Sequence, residues 1–528
     1  MGDMFLGLDS STQSLSAVLI DLASRTVVGT GAVGFDEDLP SYGTTNGVVR
    51  DPDDPGTVHG HPKQWLDALD LLFVRLRDQG APLGEIRAIS GSGQQHGSVY
   101  LRHGIEERLA ALDPAKGLAA NLDGVFSRAT APVWMDSSTS AQCAEIAEAM
   151  GGPLAVAEAT GSVPFERFTG PQIRKFSQQE PEAYRETARI ALVSSFMASV
   201  LAGRLAPIDP GDGAGMNLMD IRTRDWHPEA LAATAPDLQA RLPRLAPSWT
   251  VVDRVHRYFA VKHGVNPDAR VVAWSGDNPC SVIGLGLVEP GMTAISLGTS
   301  DTCFGTMAEC RTDPRGEGHV FGSPTGDYMT LICFKNGSLA RERVRDAYGL
   351  DWAGFSAALH DTPPGNEGRL MLPWFEPEIV PKVLRPGVHR FDLDEADAAA
   401  NCRAVVEGQM MAMRNHSEWM GARPQRVFAT GGASANPEIL QVMADVMGCP
   451  VHRFEVSNSA ALGAALRAAH AHFLAEGTER PWPGVVAGFT DPVPGSEIRP
   501  RPEATQVYDY LVMKHAQFER DTLARLGD

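Results

Sequence analysis

Two apolar runs near the N-terminus flank an acid and several hydroxyl residues that could together bind a metal ion and phosphate. The segment is FLGLDSSTQSLSAVLIDL, residues 5–22. Small polar residues favour turns because they bond to nearby backbone, so the segment predicts a β-hairpin. N–H groups and hydroxyls in such a turn can bind phosphate oxygens, while the Asp9 carboxylate holds hydrated Mg²⁺ against them. The residues predicted in the turn are Asp9, Ser10, Ser11, Thr12 and Ser14. An ordinary polar turn is the alternative, since no P-loop or dinucleotide-binding glycine pattern supports phosphate binding.

A second segment repeats this layout in the other half of the chain. It reads AISLGTSDTCFGTM, residues 294–307, with Gly298 and Thr299 between two apolar runs. Two lobes that each carry such a turn could close on a polyphosphate from both sides. Two unrelated hairpins are the alternative, because Gly-Thr-Ser turns are common.

The segment VVAWSGDNPCSVIGLG, residues 271–286, places Asp277 and Asn278 after a buried-looking strand. We expect Pro279 to be the first residue of the following helix, and ligand groups gather where strands end and helices begin in α/β folds. In the functional interpretation, Asp277 accepts a proton from a substrate hydroxyl and the helix N-terminus keeps it ionised. In the structural interpretation, Asn278 is an N-cap and Asp277 is a favourable charge at the helix dipole.

The segment AISGSGQQHGSVYL, residues 88–101, leads a strand into Gln94, Gln95 and His96. Glycines before these residues allow close backbone approach, and three hydrogen-bonding side chains in a row suit a polyol. An exposed hairpin tip with an incidental histidine is the alternative.

Arg167 lies between Phe165 and Phe168 in PFERFTGPQIRK, residues 164–175. Its guanidinium could donate to a hydroxyl or a phosphate. It could equally stack on the aromatic rings as a surface contact.

A glycine-rich turn precedes a helix in RVFATGGASANPEILQVMADVMG, residues 426–448. Such turns accept nucleotides because the backbone can approach closely and its N–H groups point outward. Asn436 also fits the N-cap of a helix with Pro437 at its first position. The two roles are compatible.

Composition narrows the class of protein. The 528 residues exceed one ordinary core, and 43% hydrophobic with 21% charged residues is typical of a folded soluble protein. A net charge of -19 without a basic cluster excludes nucleic acid and anionic membranes as expected partners. The seven cysteines lack a CxxC pair, which indicates free thiols in a reducing compartment. With neither a signal-peptide pattern nor a membrane-spanning apolar run, we expect a cytoplasmic protein.

Strand-like and amphipathic helical runs alternate throughout, which predicts an α/β architecture with mixed sheets. The Pro-rich span 243–267 has few core patterns and lies near the midpoint. We place the domain boundary there, which gives domains 1–262 and 263–528. The predicted helices are 64–77, 137–150, 339–348, 395–420 and 459–474. The predicted strands are 87–90, 271–274, 293–297 and 426–429.

Taken together, these motifs resemble the FGGY family of carbohydrate kinases. The similarity extends from Phe5 to about Leu466, and its specific parts are QQHG and VWMDSSTSAQC. The motifs are DSSTQS, SGSGQQHG, VWMDSSTSAQC, SGDNP, SLGTSD and ATGGASANPE. The resemblance implies two actin-like, ribonuclease H-like lobes, each a mixed β-sheet flanked by helices. It also implies that ATP and a sugar bind in the cleft between the lobes.

The resemblance also implies roles for individual residues. Asp277 would be the general base for the sugar hydroxyl, and Asp9 would be the acid associated with Mg²⁺. The expected sugar contacts are Gln95, His96, Arg167, Asp277 and Asn278. The expected phosphate and adenosine contacts are Ser11, Thr12, Gly298, Thr299, Trp352, Gly431, Gly432, Ala433 and Asn436.

The implied activity is ATP-dependent phosphorylation of a sugar, with D-xylulose as the expected substrate. Another ketose or polyol, such as ribulose or an alditol, remains an alternative because a shared fold does not fix the substrate. Glycerol is disfavoured because glycerol-specific members carry an Arg-Glu pair where Gln95 and His96 stand. A non-catalytic sugar or nucleotide sensor is the third hypothesis, although the presence of both Asp9 and Asp277 argues against it.

Two features stay open at the level of sequence. Asp209 and Asp212 lie in a predicted turn that could also face the cleft, but the GDN pattern favours Asp277 as the base. A homodimer is one assembly we consider, and oligomeric state is not readable without surface patches.

Overall fold

The computed structural model describes residues 2–421, 423–455 and 458–527. Within them, strands and helices alternate as the sequence predicts. The strands are β1 (Met4–Ser10), β2 (Ser14–Asp21), β3 (Thr26–Gly34), β4 (Val49–Arg50), β5 (Val58–Gly60), β6 (Ile86–Gly93), β7 (Ser98–Arg102), β8 (Ala131–Pro132), β9 (Thr187–Leu192), β10 (Val251–Arg254), β11 (Arg270–Val272), β12 (Ser275–Gly276), β13 (Met292–Leu297), β14 (Asp301–Met307), β15 (His319–Gly322), β16 (Tyr328–Phe334), β17 (Leu370–Trp374), β18 (Gly387–Phe391), β19 (Arg426–Thr430) and β20 (Val451–Arg453). The helices are α1 (Phe35–Asp38), α2 (Pro62–Asp78), α3 (Ile105–Ala110), α4 (Leu118–Asn121), α5 (Ser140–Ala149), α6 (Pro153–Thr160), α7 (Thr169–Gln179), α8 (Pro181–Glu186), α9 (Val193–Ala202), α10 (Pro210–Gly213), α11 (Pro228–Thr234), α12 (Leu238–Arg241), α13 (Arg257–His263), α14 (Asp277–Gly284), α15 (Ser338–Ala347), α16 (Trp352–Asp361), α17 (Ala398–Ser417), α18 (Pro437–Met447), α19 (Ser459–Ala475), α20 (Trp482–Val486) and α21 (Pro502–Leu526).

The chain forms two compact units. The first comprises Met1–Val288, Val320–Met329 and Val456–Thr490, and the second comprises Glu289–His319, Thr330–Glu455 and Asp491–Asp528. This division differs from the predicted boundary at residue 262 because α14 and α19 pack on the first sheet. Long-range helix packing of this kind leaves no local mark in the sequence.

The first unit is built on a sheet in which β1 has an antiparallel and a parallel neighbour. The strand order is β10-β11-β6-β1-β2-β3, and β12 also pairs with β6. Asp9 lies opposite Ser92 in the parallel β1–β6 pair, and Ser275 lies opposite Ser92 in the parallel β12–β6 pair. The carboxyl ends of these three strands therefore meet at one edge of the sheet.

The sheet of the second unit has the order β15-β16-β14-β13-β19-β20. Strand β13 pairs antiparallel with β14 and parallel with β19, with Ser296 opposite Thr430. The turn after β13 and the glycine turn after β19 therefore begin at the same edge of this sheet.

The predicted hairpins of residues 5–22 and 294–307 are confirmed, but two details of the sequence interpretation are wrong. Asp9 and Ser10 lie inside β1, and Ser10 is fully buried, because the turn is limited to residues 11–13. Helix α14 begins at Asp277, with Gly276 as its N-cap, and not at Pro279. Asn278 is consequently in the first turn of the helix and is not its cap.

Helices α14 and α19 approach each other through glycines. A Cβ on Gly463 would lie 1.8 Å from the Cys280 carbonyl oxygen, and one on Gly284 would lie 2.0 Å from that of Ser459. Helix α19 also packs on β1, where a Cβ on Gly7 would lie 1.9 Å from the Ala461 carbonyl oxygen. These contacts fix the position of α14, and with it Asp277, against the sheet.

No helix in the described ranges has both the length and the apolar character needed to cross a membrane.

We predict that Gly463→Ala destabilises the protein by about 1–3 kcal/mol, because the new methyl group meets rigid backbone. Gly484→Ala is the matched control, since that glycine also lies in a helix but a Cβ there meets no atom within 4 Å. Scanning calorimetry of the two variants and the wild type measures the effect. Equal unfolding temperatures for the two variants would contradict the close contact.

Candidate functional site

Asp9 lies at the carboxyl end of β1, where the sheet of the first unit gathers polar groups. Its Oδ1 accepts a hydrogen bond of 2.5 Å from the Ser92 hydroxyl on the neighbouring strand. Burial raises the pKa of Asp9 to about 6, and the bond from Ser92 only partly opposes this shift. The surroundings of Asp9 therefore disfavour its ionised form.

Asp277 is the first residue of α14, next to the end of β12. Its Oδ1 accepts hydrogen bonds from the Asn278 backbone N–H at 2.8 Å and from Asn278 Nδ2 at 3.1 Å. Burial, followed by the nearby charge of Asp9, raises the pKa of Asp277 to about 7. From the sequence, we expect the helix N-terminus to keep this group ionised. The bonds from backbone N–H groups do lower its pKa, but they only partly offset burial and a like charge.

Gln95 holds Asn278 in one orientation. Its Oε1 accepts a bond of 2.8 Å from Asn278 Nδ2, and its Nε2 donates to the Gly211 carbonyl oxygen at 3.3 Å. The side chain of Gln95 is buried. With both ends of its amide engaged by protein, Gln95 acts on the site through Asn278.

His96 follows in the same loop with a left-handed backbone, φ 73°. Its Nδ1 lies 2.8 Å from the Gly215 carbonyl oxygen, which can only accept, so Nδ1 carries a proton. The Phe168 ring packs on the imidazole at a centroid distance of 4.4 Å. These two contacts fix the ring and its tautomer.

Arg167 adjoins this group through its aromatic neighbours. Its guanidinium lies 4.3 Å from the centroid of the Phe165 ring, and Phe168 is the N-cap of α7. The stacking that the sequence offers as an alternative is therefore present. The partly exposed arginine is placed beside the residue that packs on His96.

The turn after β1 is tied to a tryptophan that our motif-based interpretation gave no role. Trp134 Nε1 donates to Thr12 Oγ1 at 2.8 Å, and Thr12 Oγ1 donates to Gln94 Oε1 at 3.3 Å. Trp134 is 44% exposed, so its ring is available to a ligand. Trp134 lies in the motif VWMDSSTSAQC, which is the sequence feature that could have pointed to this residue.

Ser11, in the same turn as Thr12, has a structural contact. Its hydroxyl donates to the Ser14 carbonyl oxygen at 2.9 Å and so closes the turn.

Asp209 and Asp212 are both buried and support the site from behind. Asp209 caps α10 by accepting from the Asp212 N–H and also accepts from Ser275 Oγ, each at 2.9 Å. Asp212 accepts from the Ser194 hydroxyl. Burial, together with the charges of Asp209 and Asp277, raises the pKa of Asp212 well above its ordinary value and outweighs the bond from Ser194, which lowers it. Neither carboxyl group reaches solvent, and Asp209 holds the β12–α14 junction from inside through its bond to Ser275.

The second unit carries a separate pocket of ≈ 570 Å³. Asn436 caps α18 by accepting from the N–H groups of Glu438 and Ile439, as predicted, and its Nδ2 donates to Ser356 Oγ at 2.8 Å. Trp352 is 40% exposed and forms one wall, with the Arg345 guanidinium 4.4 Å from its ring centroid. The pocket is lined by Ser338, Glu342, Trp352, Ala353, Ser356, Gly432, Ala433, Ala435, Asn436, Pro437 and Ile439.

The glycine turns at the edge of this sheet adjoin the pocket. Gly431 has φ 85°, and a Cβ there would lie 2.6 Å from the Leu297 carbonyl oxygen, so only glycine fits. The Gly298 carbonyl oxygen accepts from the N–H of Ser338, a lining residue, at 2.8 Å. Gly298, Thr299 and Gly431 therefore border the pocket without lining it.

The structure thus sorts the predicted residues into two groups. Asp9, Thr12, Gln95, His96, Arg167, Asp277 and Asn278 belong to the first unit, and Trp352, Gly432, Ala433 and Asn436 belong to the second. In the part of the chain that is described, no cluster of three or more His, Cys, Asp or Glu side chains forms a metal site.

Polar side chains around an acid of raised pKa in the first unit, and a pocket of ≈ 570 Å³ in the second, are compatible with the chemistry of a sugar kinase. The N-terminal domain of the FGGY family of carbohydrate kinases matches residues 129–284, and its C-terminal domain matches residues 293–472. The chain belongs to the FGGY family and is an ATP-dependent carbohydrate kinase.

Curated relatives and solved structures narrow the similarity. The chain is 43% identical to a xylulose kinase of Rattus norvegicus over 98% of this chain and 97% of that one. It is 45% identical to xylulose kinase 2 of Arabidopsis thaliana over 88% and 87%. A xylulose kinase of Rhodospirillum rubrum has a TM-score of 0.81 at 20% identity, covering 99% of this chain and 100% of that chain. A gluconate kinase of Lactobacillus acidophilus has a TM-score of 0.80 at 18% identity, covering 99% of both chains. The two-lobe actin-like fold is therefore shared by kinases that are named for different sugars.

Proposed function

We propose that this protein transfers the γ-phosphate of ATP to the terminal hydroxyl of D-xylulose, giving D-xylulose 5-phosphate and ADP. The names of full-length relatives at 36–45% identity support the choice of sugar. The observation that carries the chemistry is Asp277, whose pKa of about 7 suits a general base at neutral pH. We also propose a cytoplasmic location, because the described cysteines are free thiols. The homodimer stays a prediction.

In this proposal, the sugar lies against His96, Asn278 and Arg167. Asn278 Nδ2 donates to Asp277 Oδ1, and the Asp277 carboxylate accepts the proton of the reacting hydroxyl. Gln95 keeps the Asn278 amide in this orientation. The residues so hold the hydroxyl and its proton acceptor together, which is the main contribution a protein makes to phosphoryl transfer.

The nucleotide binds in the pocket of the second unit. Trp352 and the Gly432–Ala433 turn contact the adenosine, while the turn at Gly298–Thr299 contacts phosphates. Ser11 and Thr12 of the first unit stay predicted phosphate contacts. Gly431 allows the backbone to approach a ligand because no side chain intervenes. This assignment agrees with the size of the pocket and with its exposed tryptophan.

Asp9 is the residue we propose to hold Mg²⁺. Its Oδ1 is bonded to Ser92, and no described residue donates to its Oδ2. One carboxylate fits Mg²⁺, because this ion is commonly held by one or two carboxylates together with waters and substrate phosphates. Bound there, the ion would neutralise charge on the phosphates.

A panel of sugars at fixed ATP tests the substrate. We expect ADP release to be fastest with D-xylulose and slower with ribulose, alditols and glycerol. Asp277→Asn is the matched variant, expected to lose on the order of 10²–10⁴ in kcat because it removes the proton acceptor at nearly constant shape. If ADP release were faster with another ketose, that ketose and not D-xylulose would be the substrate. Failure of every sugar to stimulate ADP release would support a sensor.

The pH dependence tests the base. Asp277 accepts a proton only when ionised, so kcat/KM for the sugar should fall as the pH drops below about 7. Asp9→Asn removes the neighbouring negative charge, which should lower the pKa of Asp277. In the residual activity of this variant, the fall in kcat/KM should therefore occur at a lower pH than in the wild type. A flat profile between pH 5 and pH 8 in the wild type would remove Asp277 from this role.

The magnesium dependence tests Asp9. We expect Asp9→Ala to lower the rate and to raise the Mg²⁺ concentration needed for half-maximal activity, with excess Mg²⁺ restoring only part of the rate. Measuring initial rates against Mg²⁺ at saturating ATP and sugar checks this. An unchanged Mg²⁺ dependence would contradict the assignment.

A further inference from the structure

Asp301 and Arg341 form a fully buried ion pair directly behind the second hydroxyl-rich turn. Arg341 Nη1 lies 2.8 Å from Asp301 Oδ2, and Nη2 lies 3.0 Å from Asp301 Oδ1. Both side chains are 0% exposed. Asp301 begins β14 immediately after the turn, and Arg341 lies in the first turns of α15. The pair thus joins the phosphate-type turn to a helix of the nucleotide pocket.

The same guanidinium organises the N-terminus of α15. Nη2 donates to Ser338 Oγ at 2.9 Å, and Nη1 donates to Gln409 Oε1 at 2.7 Å. Gln409 Nε2 in turn donates to the carbonyl oxygens of Asn336 and Gly337, at 2.7 and 3.0 Å. The loop before α15 is therefore held by side chains on both sides.

The loop and the turn also touch directly. The Ser338 N–H donates to the Gly298 carbonyl oxygen at 2.8 Å. A Cβ on Gly337 would lie 2.7 Å from the Thr299 carbonyl oxygen, so the two backbones pack without an intervening side chain. A shift of either segment would displace Thr299 relative to Ser338.

Stability alone does not explain such a pair. Replacing a buried ion pair by apolar residues of similar volume is often neutral or stabilising, because the two charges lose their hydration on burial. The bidentate geometry does fix direction and distance between the joined segments. The contribution of this pair is therefore to fix the relative position of the two segments that it joins.

We propose that Asp301 and Arg341 are positioning residues that hold the Gly298–Ser300 turn and Ser338 in the arrangement that binds the nucleotide's phosphates. The inference rests on the proposed function of the neighbouring pocket as the nucleotide site. Its specific consequence is that the pair matters for the phosphates and not for the adenosine, whose walls are Trp352, Ala433 and Asn436.

Nucleotide binding without sugar tests this inference, with isothermal titration calorimetry of ADP and of adenosine as the readout. We expect Arg341→Met to weaken ADP binding by about tenfold or more, because several charge-assisted bonds that order the turn are lost. Adenosine affinity should stay within about twofold, since contacts distant from the change are independent of it. Arg341→Lys keeps the charge and should recover part of the ADP affinity.

Arg403→Met is the matched control. Arg403 is an equally enclosed arginine of the same unit, paired with Glu407 at 2.5 Å, but its other partners are Leu359 and Tyr508 and not the turn. We expect this variant to lose thermal stability while keeping the wild-type ratio of ADP to adenosine affinity. An equal loss of ADP affinity in Arg403→Met, or an unchanged ratio in Arg341→Met, would overturn the inference.

Asp301→Asn keeps the inference testable if Arg341→Met does not fold, and it should weaken ADP binding while sparing adenosine. Loss of both affinities to the same extent would overturn the positioning role. Wild-type protein that binds adenosine and ADP equally well would overturn it also. Wild-type protein that binds neither would overturn the proposed nucleotide pocket itself.

Discussion

Parallel pairing of strand ends is the constraint on which the first site depends. Strands β1, β6 and β12 run in the same direction, so Asp9, Ser92 and the β12–α14 junction emerge at one edge of the sheet. The pairing of these strands brings together residues that are up to 268 positions apart in the sequence. The second unit repeats the arrangement, since β13 and β19 are parallel and release their glycine turns at one edge. Open α/β sheets bind ligands at such edges for this reason.

The raised pKa values of Asp9 and Asp277 follow from this meeting of strand ends. Two carboxyl groups, Asp9 and Asp277, lie near each other, and partial burial raises the pKa of each. Because the two groups interact, their protonation is a property of the pair. A cation beside Asp9 would remove much of the repulsion and favour the ionised form of Asp277. The assignment of a metal-associated acid and a separate base thus has a physical basis in their proximity.

Sequence patterns predicted the local elements well and the tertiary contacts poorly. Apolar runs on either side of a polar turn were enough to predict both hairpins, and Asn436-Pro437 was enough for the cap of α18, because turns and caps depend on neighbouring residues. The start of α14 was placed two residues late, because proline is tolerated throughout the first turn of a helix and not at its first position alone. The role of Trp134 and the Asp301–Arg341 pair depend on contacts between distant segments, which one sequence does not reveal.

The start of α14, which carries Asp277, is held by several contacts outside the sheet. Strand β12 has only two residues, so its pairing with β6 cannot hold the start of α14 by itself. Three further contacts restrain it: α19 packs on α14 through Gly284 and Gly463, Asp209 accepts from Ser275, and Gln95 accepts from Asn278. Each uses a small or buried polar residue that contributes less to a core than a large apolar one. A site that must place one carboxylate within a fraction of an ångström therefore explains why so many glycines and buried polar groups surround α14.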